Sequence, residues 1–233
     1  MKFPPVQHPD LPYTSVVLVQ QPVTAITGSL TWLGPSVKPA DLVHTWAADL
    51  LALAVAEPSS KFQQALVDSG ACLSAGFAWS TQLNVGPITA SFQATPEKVD
   101  GCITAILAEL RKLRAPDALS DEELANAGFT GEMNALRERE TPSSLAHTLS
   151  SAWTSTGLDY YLSYVDNLKK ATRPQMTAFL DRYVIDKPYV LAVLLSPEAA
   201  RAGLDLKHFE KLVDARPWKE PKAGTPAKVE VRR

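Results

Sequence analysis

The order of the predicted strands and helices is the feature of this sequence that most restricts its fold. Two apolar, β-branched segments, Ser15–Gln20 and residues 24–33, follow each other with only a proline-containing turn between them. Two more, residues 72–83 and 87–95, are joined by Asn84-Val85-Gly86, which is typical of a hairpin turn. Strands that follow one another without an intervening helix argue against a doubly wound parallel sheet.

Most of the remaining chain shows helical signals. The apolar residues Leu42, Trp46, Leu50 and Leu53 share one face of a helix predicted over residues 38–56. Further helices are predicted to begin at capping or proline signals: Ser59 or Ser60, Thr95, Ser120, Thr141, Gly157 and Thr172. Gly70 is expected to end the short helix that begins near Ser60. Residues 188–195 are predicted to form a buried closing strand.

These elements predict an α+β fold in which a largely antiparallel or mixed sheet is covered on one face by helices. Residues 1–13 contain four prolines and are interpreted as a lead segment or linker. Residues 14–200 are predicted to form the folded domain. Residues 201–233 are interpreted as a C-terminal extension, with a polar tail from about Lys219.

Composition and charge exclude several classes of protein. The 23 basic and 25 acidic residues give a net charge of −2, and they form no basic stripe of the kind that binds nucleic acid. The longest apolar run, residues 50–56, is far shorter than the roughly 20 residues that span a bilayer. No apolar stretch follows Lys2, so the N-terminus is not typical of a signal peptide.

The two cysteines, Cys72 and Cys102, give a weak signal. They are too few for a disulfide framework and too far apart for a C-x-x-C metal or redox pair. We interpret both as small buried apolar side chains.

Zinc peptidases bind their metal through two histidines that lie one helical turn apart, with a glutamate on the same face. The four histidines are His8, His44, His147 and His208, and no two of them lie within a turn of each other. Neither H-E-x-x-H nor H-x-x-E-H is therefore present. The sequence predicts no metal site and places these histidines on helix surfaces or in loops.

No nucleophilic or phosphate-binding motif is present either. The segment around Cys72 and Ser74 is rich in small residues but lacks the G-x-S-x-G spacing, and a Cys72 thiolate would need a nearby histidine or helix N-terminus. The Walker and dinucleotide-binding glycine loops are absent. We predict no catalytic residue and no cofactor-binding residue in this chain.

Two other clusters have structural and functional interpretations. The acidic run from Asp121 to Glu123 is explained by a helix start, and residues 137–140 by a solvated helix end. The aromatic residues could line a peptide groove, but helix packing is the favoured interpretation. They are Trp153, Tyr160, Tyr161 and Tyr164.

Several segments, taken in order, resemble the insulinase or pitrilysin-like zinc peptidases, a family that includes the mitochondrial processing peptidases and bacterial two-domain homologues. The resemblance extends over residues 15–197. It rests on SSKFQQALVDSGACLSAGFAW, PEKVDGCITAILAELRKL, LSDEELANAGFTGEM, WTSTGLDYYLSYVDNLKKATRPQMTAFLDRYV and PYVLAVLLSP. In this family, homologous halves enclose a clam-like substrate chamber, and usually only the N-terminal half holds zinc, through H-x-x-E-H and a distant glutamate.

The resemblance implies that this chain is a degenerate, non-catalytic half. His44 would occupy the first ligand position, with Ala47 and Ala48 where the glutamate and second histidine belong. A single imidazole with Glu122 or Glu123 would make a poor zinc site. Zinc is therefore expected in the partner half and not in this chain.

A second departure from the family concerns an arginine and a tyrosine that contact substrate in some C-terminal halves. Val67 and Ser74 stand at the matching positions here, so that role is not carried over. Trp79 is a candidate chamber residue, although a core position is favoured.

The resemblance also implies partners and a location. The partners would be a homologous catalytic half, in the same parent chain or in a partner subunit, and a peptide substrate in the shared chamber. Bacterial relatives are often found in the cell envelope, which is favoured over the cytoplasm. Two alternatives stay open: a purely structural module like the core proteins of respiratory assemblies, and an unrelated hydrolase that uses Cys72 or Ser74.

Overall fold

The computed structural model of this protein describes residues 8–217. Within them, five strands form one sheet: β1 (Ser15–Gln20), β2 (Ile26–Leu33), β3 (Ser74–Trp79), β4 (Pro87–Ala94) and β5 (Val190–Leu195). The helices are α1 (Leu42–Ala56), α2 (Lys61–Gln63), α3 (Val99–Lys112), α4 (Asp121–Arg137), α5 (Pro142–Ser155), α6 (Leu158–Lys170), α7 (Arg173–Tyr183), α8 (Pro197–Arg201) and α9 (Leu206–Leu212). Helix α2 continues directly into a π-helical turn, Gln64–Asp68.

The strands lie in the order β1-β5-β2-β4-β3. Strand β1 pairs with β5 in parallel, whereas the β5–β2, β2–β4 and β4–β3 pairs are antiparallel. The closing strand β5 therefore lies between the first two strands of the chain. The prediction of a mixed, largely antiparallel sheet in an α+β fold is confirmed.

Strand alternation separates the sheet into a buried face and an open face. Leu30 in β2 pairs with Ala90 in β4 and with Leu191 in β5, and all three side chains are fully buried. Helices pack on this buried face, with α1 against β3 and α3 against β4. The alternate residues of each strand point to the opposite face. Apart from Ser15, which is buried, they are partly or fully exposed.

Gly28 allows the Phe92 ring to pack directly on the backbone of β2. A β-carbon at this position would collide with the Phe92 ring and would lie 2.6 Å from the Ala192 carbonyl oxygen. Only glycine therefore fits between the Phe92 ring and the neighbouring strand.

Most predicted helix starts agree with the observed capping contacts, but the prediction that Thr95 caps a helix is wrong, because α3 begins at Val99 after Lys98. Ser120 and Glu123 form the capping box at the start of α4, and the Thr141 hydroxyl accepts a hydrogen bond from the Ser144 amide before α5. Ser60 caps α2 in the same way. Gly70, with φ of 74°, ends the π-helical turn that follows α2, because the left-handed region favours glycine.

Helix α1 is buried on more than the one predicted face. It contacts β3, α4, α6 and α7, and its fully buried residues include Ala47, Ala48 and Leu51 as well as the predicted Leu50. Trp46, predicted on the same stripe, stacks on Tyr160 of α6. A single amphipathic stripe understates the burial of a helix that is enclosed by a sheet and by other helices.

The two cysteines are buried as predicted, but their interpretation as separate apolar side chains is wrong. Cys72 and Cys102 form a disulfide, with Cα atoms 5.1 Å apart. Cys72 precedes β3 and Cys102 lies in the first turns of α3, so the bond joins the sheet edge to a helix that packs on β4. The 30-residue separation carries no motif, and only the tertiary fold brings the two residues together.

Two short helices, α8 and α9, follow the closing strand and were not predicted. Phe209 of α9 is fully buried in the main core, and α9 contacts β1. The packed part of the chain therefore reaches into residues 201–233, which the sequence presents as an extension. Most of the predicted polar tail, and residues 1–7 of the predicted lead segment, lie outside the described residues. Among residues 8–217, no helix is long and apolar enough to cross a membrane.

Candidate functional site

Helix α1 carries His44, Ala47 and Ala48, the three residues that the resemblance aligns with the H-x-x-E-H motif. Ala47 and Ala48 are both 0% exposed, so their methyl groups are part of the core. The His44 ring packs edge-on against Tyr183, with 5.4 Å between ring centroids, and its Nδ1 is buried without a hydrogen-bond partner. Burial lowers the pKa of His44, and the positive charge of Arg182 lowers it further. Methyl groups cannot bind a metal or transfer a proton, so His44 alone among these three residues has an atom that could be a ligand.

A polar cluster surrounds the start of α1. Asp41 accepts hydrogen bonds from the Ser36 hydroxyl at 2.7 Å and from the Tyr183 hydroxyl at 3.1 Å, and it forms an ion pair with Arg182 at 3.4 Å. Burial alone would raise the pKa of Asp41, but these hydrogen bonds and the Arg182 charge lower it overall. Because the carboxylate is already paired, this cluster joins α1 to α7 and leaves no vacant ligand.

The other three histidines are dispersed over the fold. His8 is exposed before β1, His147 lies on α5, and Nε2 of His208 on α9 is 2.8 Å from an Asp100 carboxylate oxygen on α3. Within residues 8–217, no three histidine, cysteine, aspartate or glutamate side chains are grouped closely enough to hold a metal. The prediction that this chain binds no zinc can be tested by elemental analysis.

The acidic residues at the start of α4 have structural partners. Glu123 accepts a hydrogen bond from the Ser120 amide at 2.6 Å, and the Ser120 hydroxyl accepts one from the Glu123 amide at 3.1 Å. Asp121 forms an ion pair with Arg173 at 2.6 Å. Glu122 is exposed on the first turn of α4. The helix-start interpretation of this cluster therefore agrees with the structure.

The residues considered as nucleophiles, or as substrate contacts, lie around the β3 edge. Cys72 is part of the disulfide and has no free thiol. Ser74 is exposed at the first position of β3, and Val67 lies in the π-helical turn, packed against the core. Trp79 is on the buried face and only 8% exposed, which fits the favoured core position.

The predicted aromatic group is only partly brought together. Tyr160 and Tyr164 of α6 form one cluster with Trp46 of α1, whose ring stacks on Tyr160 with 4.3 Å between centroids. Trp153 is 70% exposed and takes no part in this cluster. Tyr161 lies beside it and accepts a hydrogen bond from Arg139 Nε at 3.3 Å.

A cavity of about 470 Å³ lies next to these tyrosines. Helices α1, α4, α5 and α6 form its walls, and Thr81 from the loop after β3 contributes at one side. Tyr160, Tyr161 and Tyr164 all line it. The structure thus gives this part of the aromatic group a role in lining a cavity as well as in packing the helices.

Asp49 of α1 also lines this cavity, although it belongs to no motif in the sequence. Its Oδ2 atom is buried without a hydrogen-bond partner in the described part of the chain. Burial raises the pKa of Asp49 to about 7, and hydrogen bonding from Tyr164 offsets only part of this effect. A signal was available, because Asp49 is the only Asp, Glu, Lys or Arg between Leu42 and Ala56.

Comparison with known proteins establishes the family. A sequence model described as the peptidase M16 inactive domain matches residues 2–128, which is more than half of the chain. The chain belongs to the peptidase M16 inactive-domain family. The membership expected from the resemblance is thereby confirmed, and the family description means that this domain is not itself catalytic. No curated protein matches the sequence.

Solved structures share the fold of this M16 domain. A protease from Helicobacter pylori superposes with a TM-score of 0.68 at 18% identity, over 78% of this chain and 43% of that chain. A peptidase M16 inactive domain from Pseudomonas fluorescens gives 0.64 at 15% identity, over 83% and 46%. A chain of complex III2 from Candida albicans gives 0.66 at 13% identity, over 86% and 49%. This M16 domain therefore spans less than half of each of these structures, and the likeness shows the fold alone.

Proposed function

We propose that this M16 domain is the non-catalytic half of a zinc endopeptidase. It forms one wall of the substrate chamber and docks against a homologous half that carries H-x-x-E-H and holds zinc. The observation that carries this proposal is the chemistry of the open sheet face, together with the loss of the ligand positions on α1.

The open sheet face carries no charged residue in β1 to β5. Besides Leu33 and Pro87, the strand registers place fourteen partly or fully exposed residues on it. They are Val17 and Val19 in β1, Val190, Ala192 and Leu194 in β5, Thr27, Ser29 and Thr31 in β2, Thr89, Ser91 and Gln93 in β4, and Ser74, Gly76 and Ala78 in β3. An antiparallel sheet face that meets bulk water usually alternates to polar and charged side chains.

An uncharged surface of small side chains suits a covered or enclosed position. Val17 and Val19 are 48% and 45% exposed, and a shallow groove runs from Val19 across to Ser29 and Ala192. Contiguous apolar area of this kind marks protein or ligand contacts. In the proposed chamber, this face would orient an extended peptide and exclude water, while the partner half would supply the acid–base chemistry.

The disulfide favours an oxidising compartment for the proposed enzyme. Disulfides persist in oxidising environments such as the bacterial periplasm and are rare in cytosolic proteins. The Cys72–Cys102 bond is buried and leaves no free cysteine in the chain. We therefore place the proposed function in the cell envelope, as the resemblance also implies.

The experiment compares the 233-residue chain with the protein as it occurs in its source, including any half to which it is joined or bound. The isolated chain is expected to contain no stoichiometric zinc and to cleave none of a fluorogenic peptide library. The native assembly is expected to contain stoichiometric zinc and to cleave peptides of the library. Equimolar zinc in the isolated chain at neutral pH, or peptide turnover by it, would contradict the proposal.

The chamber wall is tested with a matched pair of charge variants. Ser29→Lys places a cation in the middle of the open face, whereas Thr154→Lys places one on an exposed position of α5. Loss of assembly with the catalytic half, or of peptide turnover, is expected for Ser29→Lys alone. Equal behaviour of the two variants would show that the open face is neither an interface nor a chamber wall.

A second candidate is a structural module in which both halves lack zinc. The similarity to a chain of complex III2 favours it, because that chain has the same fold and is part of a multi-chain complex. The two candidates differ in the partner half. A partner sequence with H-x-x-E-H supports the peptidase, and one without it supports the scaffold.

A further inference from the structure

Two residues that line the cavity beside α6 each have a buried polar atom without a hydrogen-bond partner among residues 8–217. One is Oδ2 of Asp49, and the other is the hydroxyl oxygen of Tyr160. Thr45 and Thr81 lie near that hydroxyl, but neither forms a hydrogen bond of good geometry with it. Buried polar atoms in native proteins nearly always have partners, so two such atoms beside one cavity identify a polar part of its wall.

Asp49 lacks the charged partner that a buried structural carboxylate normally has. A buried carboxylate is normally paired with a cation or with several hydrogen-bond donors, because an isolated buried charge is costly. Asp41, on the same helix, shows the usual arrangement, with Ser36, Tyr183 and Arg182 around it. Asp49 has no cation paired with it among the described residues.

Among the charged residues that line the cavity, Glu138 and Arg139 offset each other, so an ionised Asp49 supplies the net negative charge. Helix α6 presents the Tyr160 and Tyr164 rings, and the end of α4 presents Glu138 and Arg139. Arg139 is already held by Tyr161, with its guanidinium 5.5 Å from the ring centroid and Nε hydrogen-bonded to the hydroxyl. Helix α5 presents His147.

We propose that this cavity binds a primary alkylammonium group, such as a lysine side chain, with Asp49 as its ionic partner. The ammonium would form an ion pair with the part of the Asp49 carboxylate that faces the cavity. The faces of Tyr160 and Tyr164 would contact the adjoining methylene groups and attract the positive charge. This site does not depend on the chamber proposed above, because the isolated domain contains all of its residues.

The cavity has the size and the proton chemistry that this ligand needs. A volume of about 470 Å³ is within the range of small-molecule sites, roughly 300–1,000 Å³. Burial holds the pKa of Asp49 near 7, so the empty site is partly protonated at neutral pH. An ammonium ion stabilises the ionised carboxylate, and binding therefore releases the Asp49 proton to solvent. The ammonium itself stays protonated, because its pKa is about 10.4 in lysine.

The test is a titration of the 233-residue chain with n-butylammonium, followed by amide chemical shifts and calorimetry. Millimolar affinity is expected for so small a probe, with shift changes at Asp49, Tyr160 and Tyr164. The neutral isostere 1-butanol is the ligand control. An Nα-acetyl-lysine peptide forms a second arm: tighter binding of the peptide identifies a polypeptide lysine as the source, and binding of the free amine alone identifies a small metabolite.

The variants separate a charge effect from loss of the fold. Asp49→Asn preserves the shape of the site and is expected to weaken binding at least tenfold, whereas Asp166→Asn removes the same charge from an exposed position of α6 and should have no effect. Glu138→Gln, at an exposed position on the cavity rim, gives a smaller loss through its charge and serves if Asp49→Asn is poorly folded.

The pH dependence identifies the titrating group. Affinity is expected to fall about tenfold from pH 8 to pH 6, as protonation of Asp49 removes the anionic partner. Histidines also change charge in this range, and His147 lines the cavity, so His147→Gln is the control. The pH dependence should persist in His147→Gln and disappear in Asp49→Asn.

Three results would overturn the proposal. They are equal binding of butanol and n-butylammonium, unchanged affinity in Asp49→Asn, and no detectable binding up to the solubility of the probe.

Discussion

Breaking the Cys72–Cys102 disulfide should lower the stability of this domain by an amount that the loop length sets. The bond closes a loop across 30 residues. The chain-entropy relation gives a stabilisation of about 3–4 kcal/mol for a loop of this length at 25 °C, because the crosslink restricts the unfolded chain. This is a large fraction of the roughly 5–15 kcal/mol that stabilises a typical domain.

The assay is urea unfolding, monitored by tryptophan fluorescence, of the oxidised protein and of protein refolded under a reductant. With a slope of about 2–3 kcal/mol per molar urea, reduction should lower the midpoint by roughly 1–2 M. The oxidised and reduced forms contain the same side chains, so no cavity term enters the comparison. The slope itself should rise on reduction, because the reduced unfolded chain exposes more surface.

A double variant with Cys72→Ala and Cys102→Ala provides the control. Its midpoint should lie slightly below that of the reduced protein, because both sites are buried and lose their sulfur atoms. Its midpoint should also be insensitive to reductant. Two alkylatable thiols in protein unfolded without reductant, or coincident midpoints for the oxidised and reduced forms, would refute this reasoning.

Three further outcomes follow from individual side chains. A β-carbon at Gly131 would collide with Leu168, so Gly131→Ala should lower the free energy of unfolding in urea by about 1–3 kcal/mol. Gly101 in α3 has open space around it, so Gly101→Ala should raise that free energy by about 0.5–1 kcal/mol. A change of the same sign in both variants would contradict the packing argument. Ser120→Ala removes the capping box of α4 and should cost about 1 kcal/mol, against no change if the cap is unimportant. The pKa of about 7 for Asp49 exceeds its unfolded value of about 3.9, so ionisation opposes folding and its cost grows between about pH 4 and pH 7. Asp49→Asn should therefore be more stable than the wild type by roughly 1–3 kcal/mol at pH 8, and the two unfolding curves should converge near pH 4; a constant difference would exclude this linkage.

Local signals were sufficient to predict most elements of this fold. The capping box at Ser120 and the Thr141-Pro142 pair place two helix starts correctly, because caps act within one turn of the chain. Strand β1 agrees with its predicted bounds, since its alternation and its flanking prolines are local as well. Helix α9 was missed because it is short, and Phe209 gains its fully buried position only by packing on the core.

Tertiary contacts determine the features that the sequence left open. No spacing rule brings Cys72 to Cys102, and no local pattern places β5 between β1 and β2. The cavity was missed for the same reason, since four helices and a loop meet there. Asp49 was visible as a lone charge in an apolar helix, but its missing partner becomes evident only when the surrounding helices are in place.

The burial of α1 explains why this domain can lack catalytic chemistry and keep its fold. A zinc-binding helix must leave space and solvent access beside its ligands, because a catalytic zinc keeps one position for water or substrate. Here Ala47 and Ala48 are fully buried, and the helix packs on the sheet and on α4, α6 and α7. The one Asp, Glu, Lys or Arg residue of this helix is Asp49, which lines the cavity beside α6. The small side chains of α1 thus contribute to the core, and Asp49 avoids the full cost of a buried charge through its raised pKa and its hydrogen bond from Tyr164.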